Sequence, residues 1–237
     1  LHQLPDSLRM IPEVIIGCSS FYNGQWKGIF YPEDVPSRQW FEYYASQFST
    51  FEINSTFYKF PTVRSLKGWY QRTPADFIFS VKVPKEITHL KRLHDCESLL
   101  ASFYEIVQEG LTDKLGCILF QFPPSFHYSE ENLKRVVEAA GNDFNNAVEF
   151  RHISWWRQET FEAFTKQGII FCTPSYPKLP KEFIHTTKTG YIRLHGDPKL
   201  FYSEYTPEYL RSLHDEIAVS GVKKVFVYFN NTAGPGG

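Results

Sequence analysis

Short β-branched and aromatic runs recur along the whole chain, and most are apolar at nearly every position. They predict eight strands, at residues 14–18, 50–54, 77–83, 117–121, 147–151, 169–172, 191–195 and 225–229. Unbroken apolar character suits strands covered on both faces rather than strands with one wet side. Between them the period changes. Trp40, Phe41, Tyr44 and Phe48 share one helical face, as do Leu99, Leu100, Phe103, Ile106 and Val107. Leu133, Val136, Val137 and Ala140 follow Ser129, an N-cap residue, and precede Gly141, a C′ stop. Tyr209, Leu210, Leu213 and Ile217 follow Thr206-Pro207, which reads as N-cap then N1, and Gly221 closes that segment. Shorter helices are expected at about 62–72 and 157–167.

Strand and helix alternating this often implies parallel strands joined by right-handed crossovers. Eight of them favour closure into an α/β, TIM-type (β/α)8 barrel. An open doubly wound sheet is the competing arrangement, but no Gly-rich dinucleotide fingerprint follows the first strand, where Gly17-Cys18-Ser19-Ser20 stands. Two departures are expected. The stretch from Thr173 to Pro180 has no helical period, so the sixth crossover reads as a loop. After the eighth strand the chain reads Gly234-Pro235-Gly236-Gly237, so the barrel lacks its last outer helix or the chain is truncated. The organisation is a tail over 1–13, with Met10 a candidate native start, and one barrel domain over 14–237.

Composition changes this picture little. The 22 Phe, 14 Tyr and 5 Trp go in part to the core, and a surplus near loop ends would offer stacking surfaces. With a net charge of −1, the whole-protein field favours no polyanion, and any electrostatic argument must be local. No apolar run approaches the ~20 residues that span a bilayer, so no membrane partner is expected. Residues 1–9 lack the apolar core of a secretory signal. Cys18, Cys96, Cys117 and Cys172 show no CxxC spacing, and three of them lie in predicted strands. They read as buried thiols of a cytoplasmic protein, not as a disulfide frame or zinc site.

The polar residues sit where such a barrel does its work, at the C-terminal ends of the strands. These ends carry Glu52, Asn54, Lys82, Gln121, Glu149, Arg151, His152, Arg193, His195, Tyr228, Asn230 and Asn231. Side chains alternate faces along a strand, so Glu52 pairs with Asn54, Glu149 with Arg151, Arg193 with His195, and Tyr228 with Asn230. Their neighbours Ile53, Phe150, Leu194 and Phe229 then face the helices, because an outward charge would lie unpaired beneath a helix. Three cations against two anions make the pocket net basic and suit an anionic ligand. The same residues also fit an internal ion-pair network with no chemistry, Glu52 and Glu149 being held by Lys82, Arg151 and Arg193.

These residues stand in ordered blocks. They include Gly17-Cys18-Ser19-Ser20, Trp26-Lys27-Gly28-Ile29-Phe30-Tyr31-Pro32, Phe51-Glu52-Ile53-Asn54-Ser55-Thr56-Phe57-Tyr58 and Phe79-Ser80-Val81-Lys82-Val83-Pro84 with Ile87-Thr88-His89. Further along come Leu119-Phe120-Gln121-Phe122-Pro123-Pro124, Val148-Glu149-Phe150-Arg151-His152 with Ser154-Trp155, Tyr191-Ile192-Arg193-Leu194-His195-Gly196 and Val227-Tyr228-Phe229-Asn230-Asn231. On them the chain resembles the domain-of-unknown-function-72, or YecE-like, family over nearly its full length. The resemblance implies a TIM-type barrel and no particular activity. It also implies a Gly-x-Ala segment and a last helix beyond Asn231, where this chain ends instead.

Three function classes fit. The first is an enzyme, an acid/base hydrolase, lyase or isomerase, acting on a phosphorylated or other anionic sugar or nucleotide. Glu149 or Glu52 is then the general base and His195 the acid partner, while Lys82, Arg151 and Arg193 hold negative charge. Lys82 is also a candidate Schiff-base lysine. Asn54, Gln121, His152, Tyr228, Asn230 and Asn231 are candidate ligand contacts. Trp26 and Trp155, with Phe21, Tyr22, Tyr31 and Trp156, either cover the substrate or pack over the barrel mouth. A metal-dependent version would use Glu52, Glu149, His152 and His195. The basic neighbours oppose it, no HExxH spacing supports it, and the sequence requires no cofactor. The second class binds or processes nucleic acid, best a single flipped or terminal nucleotide. The third is a non-catalytic ligand-binding barrel. Nothing in the sequence indicates an oligomeric state.

Overall fold

Each apolar run pairs with the next along the chain, and the eighth returns to the first, closing a parallel barrel in sequence order. The computed structural model describes residues 11–141 and 143–234. Its strands are β1 (Glu13–Cys18), β2 (Thr50–Ile53), β3 (Ile78–Lys82), β4 (Leu115–Gln121), β5 (Asn146–Glu149), β6 (Ile170–Ser175), β7 (Thr189–Leu194) and β8 (Lys224–Phe229). Around them lie α1 (Trp40–Gln47), α2 (Ser55–Tyr58), α3 (Val63–Gln71), α4 (Glu97–Leu111), α5 (Glu130–Ala140), α6 (Gln158–Gln167) and α7 (Pro207–Val219). The TIM-type barrel is therefore observed, and the open doubly wound sheet is not. The expected tail as far as Met10, and residues 235–237, lie outside the described residues.

The helix ends follow their capping chemistry. Ser129 and Thr206 accept from the backbone of Asn132 and Tyr209, at 3.1 and 3.2 Å, and Pro207 occupies the first position of α7. Thr62 and Ser65 form a reciprocal capping box on α3. Gly141 does follow α5, but with φ of −85°, so that stop is not left-handed. The sixth crossover has no helix, as expected, although β6 runs on through Pro174 to Ser175. Its pairing with β5 ends at Phe171, and a residue without an N–H is tolerated beyond that point. No helix follows β8 among the described residues, and Val14 and Ile16 of β1 are correspondingly exposed.

Strand parity sorts the residues into two shells. Ile15, Cys117, Leu119, Ala147, Ile170, Cys172, Tyr191, Phe226 and Tyr228 fill the barrel interior. Ile53, Phe150, Leu194 and Phe229 pack outward under the helices, as the alternation requires. The interior is thus apolar through its lower part, and charge collects only near the upper rim. All four cysteines are buried and unpaired. No helix among the described residues is long and apolar enough to cross a membrane.

The seam between β1 and β2 is the sparsest, with one registered pair, Cys18 with Phe51. A Cβ on Gly17 would lie 2.4 Å from Thr50 O, so glycine lets the two strands approach. The buried Tyr44 hydroxyl of α1 spans the gap, accepting from Cys18 N at 2.6 Å and donating to Thr50 O at 2.8 Å. Replacing it strands two buried backbone groups. Tyr44→Phe is expected to lower the unfolding free energy in urea by ~1–3 kcal/mol. Tyr43→Phe, one position along and half-buried, serves as the control and should change it by less than ~0.5 kcal/mol.

Candidate functional site

The upper ends of β2, β5 and β7 carry Glu52, Glu149 and Arg193 into the barrel, where all three are buried. Arg193 Nε donates to both Glu52 oxygens, at 3.2 and 3.0 Å, and Nη2 donates to Oε1 at 2.7 Å. Its Nη1 reaches the other way, to Glu149 Oε2 at 2.6 Å. One guanidinium so bridges two carboxylates from strands that are not neighbours. The Tyr191 hydroxyl donates to Glu52 at 2.6 Å and the Asn54 amide donates to it at 3.1 Å. Arg151 Nε donates to Glu149 Oε1. Burial alone would raise the Glu149 carboxyl, but Arg151 and Arg193 beside it hold it well below the usual carboxylate range.

His195 completes this layer. Its Nε2 lies 3.2 Å from Glu149 Oε1, 3.0 Å from Arg151 Nη2 and 3.4 Å from Arg193 Nη1. The Glu149 carboxylate only accepts and the Asn230 amide nitrogen, which faces Nδ1, only donates, so the ring proton is assigned to Nε2, toward Glu149. Nδ1 is 2.7 Å from the Asn230 amide, whose other end meets Ser19 Oγ. Burial, then the charge of Arg151, pushes the imidazole down to about 3 despite the pull of Glu149, so His195 is neutral.

Above this floor opens a cavity of about 490 Å³. Ser19, Asn54, Lys82, Gln121, Arg151, Arg193 and Asn230 line it from the strand ends, Phe57 and Tyr58 from α2, and His89, Pro124, Tyr176 and Phe201 from other connections. No Asp or Glu lines it among the described residues. Lys82 Nζ sits 4.0 Å from the centre of the Phe57 ring, and the Arg151 guanidinium lies 4.2 Å from that of Tyr176. Burial and the nearby Arg193 bring the Lys82 amine down to about 7. The Asn54 amide nitrogen points at two acceptors, Glu52 and Ser19 O, which fixes its orientation and leaves Oδ1 buried without a partner. A larger groove, about 690 Å³, lies in the outer layer between α4 and α5. It carries none of the polar strand ends.

The expected residues therefore divide. Asn54, Lys82, Gln121, Arg151, Arg193 and Asn230 line the cavity, whereas Glu52, Glu149 and His195 lie beneath it. A general-base role for either glutamate, or an acid role for His195, meets two obstacles: guanidiniums occupy the carboxylates, and the imidazole is neutral. Tyr228 sits one layer lower still, bonded to Thr50 Oγ1 at 2.6 Å and Ser80 Oγ at 2.8 Å, so it supports the barrel and does not line the cavity. Four others also stand elsewhere. Trp26 packs with Tyr31 and Trp40 and donates to Gly234 O at 3.1 Å. Trp155 is buried against Phe150 at 3.8 Å, His152 stacks on His127 at 3.8 Å, and Asn231 donates to Ser203 O at 2.9 Å. The four residues weighed for a metal are thus not gathered, and no group of three or more His, Cys, Asp or Glu converges among the described residues. Phe57, Tyr58, His89, Tyr176 and Phe201 were not singled out as site residues. They come from non-periodic segments, and only membership of the motif blocks marks the first three.

A family model described as protein of unknown function DUF72 matches residues 15–236. Among curated proteins, UPF0759 protein YunF of Bacillus subtilis is 26% identical over 238 residues, covering 86% of this chain and 84% of the relative. UPF0759 protein YecE of Escherichia coli is 29% identical over 129 residues, covering 54% of this chain and 47% of the relative. The crystal structure of a DUF72 family protein from Thermotoga maritima superposes with a TM-score of 0.83 at 32% identity, covering 94% of this chain and 95% of that one. A DUF72 family protein from Enterococcus faecalis superposes at 0.80 with 19% identity, covering 94% and 90%, a likeness of fold alone.

Removing Arg193 leaves two buried carboxylates without their shared cation. Arg193→Met should cost ~3–5 kcal/mol in urea unfolding. Combining it with Glu52→Gln and Glu149→Gln should recover part of that loss; a single variant within ~1 kcal/mol of wild type contradicts the assignment. Part of the acid sensitivity follows from two depressed groups of this layer, His195 and Glu149. In the unfolded chain a histidine titrates near ~6.5 and a glutamate near ~4.3. The His195 contribution is present above that first value and is lost as pH falls toward about 3. The Glu149 contribution is lost below the second. Below pH ~6.5 these two groups should lower the unfolding free energy, on top of the losses from the depressed Lys82 and His89, and His195→Gln should make that limb shallower.

Proposed function

The chain belongs to the DUF72 family, and we propose that its barrel mouth is the active site of an enzyme acting on a small phosphorylated sugar or nucleotide. One observation carries the reading: the cavity wall holds Lys82, Arg151 and the upper edge of Arg193, while both carboxylates of the cluster lie below, neutralised by guanidinium. A ligand entering from above therefore meets donors and cations before any negative charge. A planar guanidinium and an ammonium together suit a phosphoryl or carboxylate group. The unpartnered Asn54 oxygen and the Gln121 amide suit the hydroxyl groups of a sugar. At the rim, Tyr58 and Phe201 are exposed and offer faces to a ring such as a nucleobase.

The chemistry open to the site is narrower than an ordinary carboxylate pair would allow. Glu52 and Glu149 orient Arg193 and balance its charge. Lys82 is then the titratable group on the wall best placed to exchange a proton near neutral pH.

Calorimetric titration at constant ionic strength tests the reading. Inorganic phosphate and ribose 5-phosphate should bind, the second more tightly, and free ribose should bind far more weakly than either. Lys82→Met and Arg151→Met should each weaken phosphate binding roughly tenfold or more, the worth of one charge-assisted hydrogen bond. Unchanged affinity in both variants would remove the anion site from this cavity.

A further inference from the structure

We propose that Lys82 is the covalent centre of this site, condensing through Nζ with the carbonyl carbon of a small phosphorylated or carboxylated aldehyde or ketone to give an imine. The inference rests on the anionic-ligand reading above and gives that ligand its reactive group.

The chain itself contains the contrast that makes Lys82 stand out. Lys114 is also buried, and its ammonium meets three acceptors, Tyr70 O at 2.9 Å, Thr73 O at 2.9 Å and Thr73 Oγ1 at 3.0 Å. That is how a structural lysine satisfies its three donors. Lys82 is 9% exposed, yet its Nζ has no hydrogen bond or ion pair among the described residues, only the face of Phe57. Arg193 commits Nε, Nη1 and Nη2 to carboxylates, and Arg151 is tied to Glu149 and His195. Among the described residues the lysine is thus the one member of the buried charge cluster without a hydrogen-bond or ion-pair partner, and it lines the cavity. A purely structural role leaves this arrangement unexplained.

The surroundings keep the nitrogen nucleophilic. Facing it are Glu52 from β2, Glu149 and Arg151 from the end of β5, Arg193 from β7, and His89 from the turn after β3. Burial, Arg193 and Arg151 favour the free amine, and Glu149 and Glu52 oppose them. His89 adds no charge near neutral pH, its imidazole being pushed down to about 4 by burial and by Lys82. The amine accordingly falls to about 7, and both forms are populated at neutral pH. A desolvated lysine beside other cations is a recognised route to an amine nucleophile.

The step balances without a co-reactant. Attack forms the C–N bond and breaks the carbonyl π bond, and a nitrogen proton passes to the oxygen to give a carbinolamine. The oxygen then leaves as water with a further proton, and the nitrogen pair forms C=N. In sum, a carbonyl compound and the lysine ammonium give a protonated imine and one water, with charge conserved. Arg151 lines the same cavity and suits the anionic end, and the imine then draws electrons from the adjacent carbon.

Reductive trapping tests this. The whole chain is incubated with dihydroxyacetone phosphate, with pyruvate, and with uncharged dihydroxyacetone, each with sodium cyanoborohydride, and every lysine is mapped by peptide mass. A lysine titrating near 7 carries on the order of 10³ times more free amine at neutral pH than an ordinary one. Lys82 should therefore be labelled by an anionic probe at least ~tenfold faster than Lys114 or the exposed lysines. Its labelling rate should rise through pH 7 and level off, be slowed by inorganic phosphate, and vanish in Lys82→Arg. Labelling of Lys82 no faster than of exposed lysines by either anionic probe overturns the proposal. If phosphate binding still depends on Arg151 in that case, the anion reading survives without it. Fast labelling of Lys82 by dihydroxyacetone as readily as by its phosphate, unaffected by added phosphate, keeps the amine and removes the anion reading. Loss of both labelling and phosphate binding removes both.

Discussion

The structure turns on one guanidinium shared by two buried carboxylates. Arg151 also pairs with Glu149, but Arg193 is the cation that the two carboxylates share, and it spends all three nitrogens on them. Burying any of these charges alone would be prohibitive, so the three residues are tolerable only together. They come from β2, β5 and β7, which do not pair with one another. The ion cluster therefore exists only once the barrel has closed, and it holds three separated strand ends at fixed spacing. The tyrosines below it extend the same logic: Tyr191 donates upward to Glu52, while Tyr228 ties β8 to Thr50 and Ser80.

Much of this was legible in the chain. Apolar runs placed every strand to within a few residues, and alternation assigned Ile53, Phe150, Leu194 and Phe229 to the helical side and their neighbours to the interior. Depth was not legible. Parity says that Glu52 and Asn54, or Tyr228 and Asn230, point the same way, but not which layer each reaches. That depends on the stagger between strands, which local sequence does not encode. Glu52 and Tyr228 consequently lie beneath the cavity, while Asn54 and Asn230 reach it.

The rim was harder to read for a different reason. Tyr176 and Phe201 sit in loops whose only sequence signals are prolines, glycines and isolated rings, and their placement depends on which neighbours the closed barrel offers. Arg151 supplies one such neighbour to Tyr176. Conversely Trp26 and Trp155 resembled rim residues because they follow strands, yet each found an apolar slot and a carbonyl for its indole nitrogen. A tryptophan next to a hydrophobic shell generally buries itself when its N–H can be satisfied.

The carboxylates beneath the floor have a consequence for how a ligand arrives. Seen from a distance, two glutamates offset two arginines, and a half-titrated lysine adds little. The mouth therefore projects a weak far field, and an approaching anion gains little guidance beyond a Debye length of ~8–10 Å. Attraction grows only over the last few ångströms, where the cations are near and the carboxylates remain screened beneath them. Capture should accordingly proceed at an ordinary diffusional encounter rate that changes little with ionic strength, with discrimination resting on residence time within the cavity.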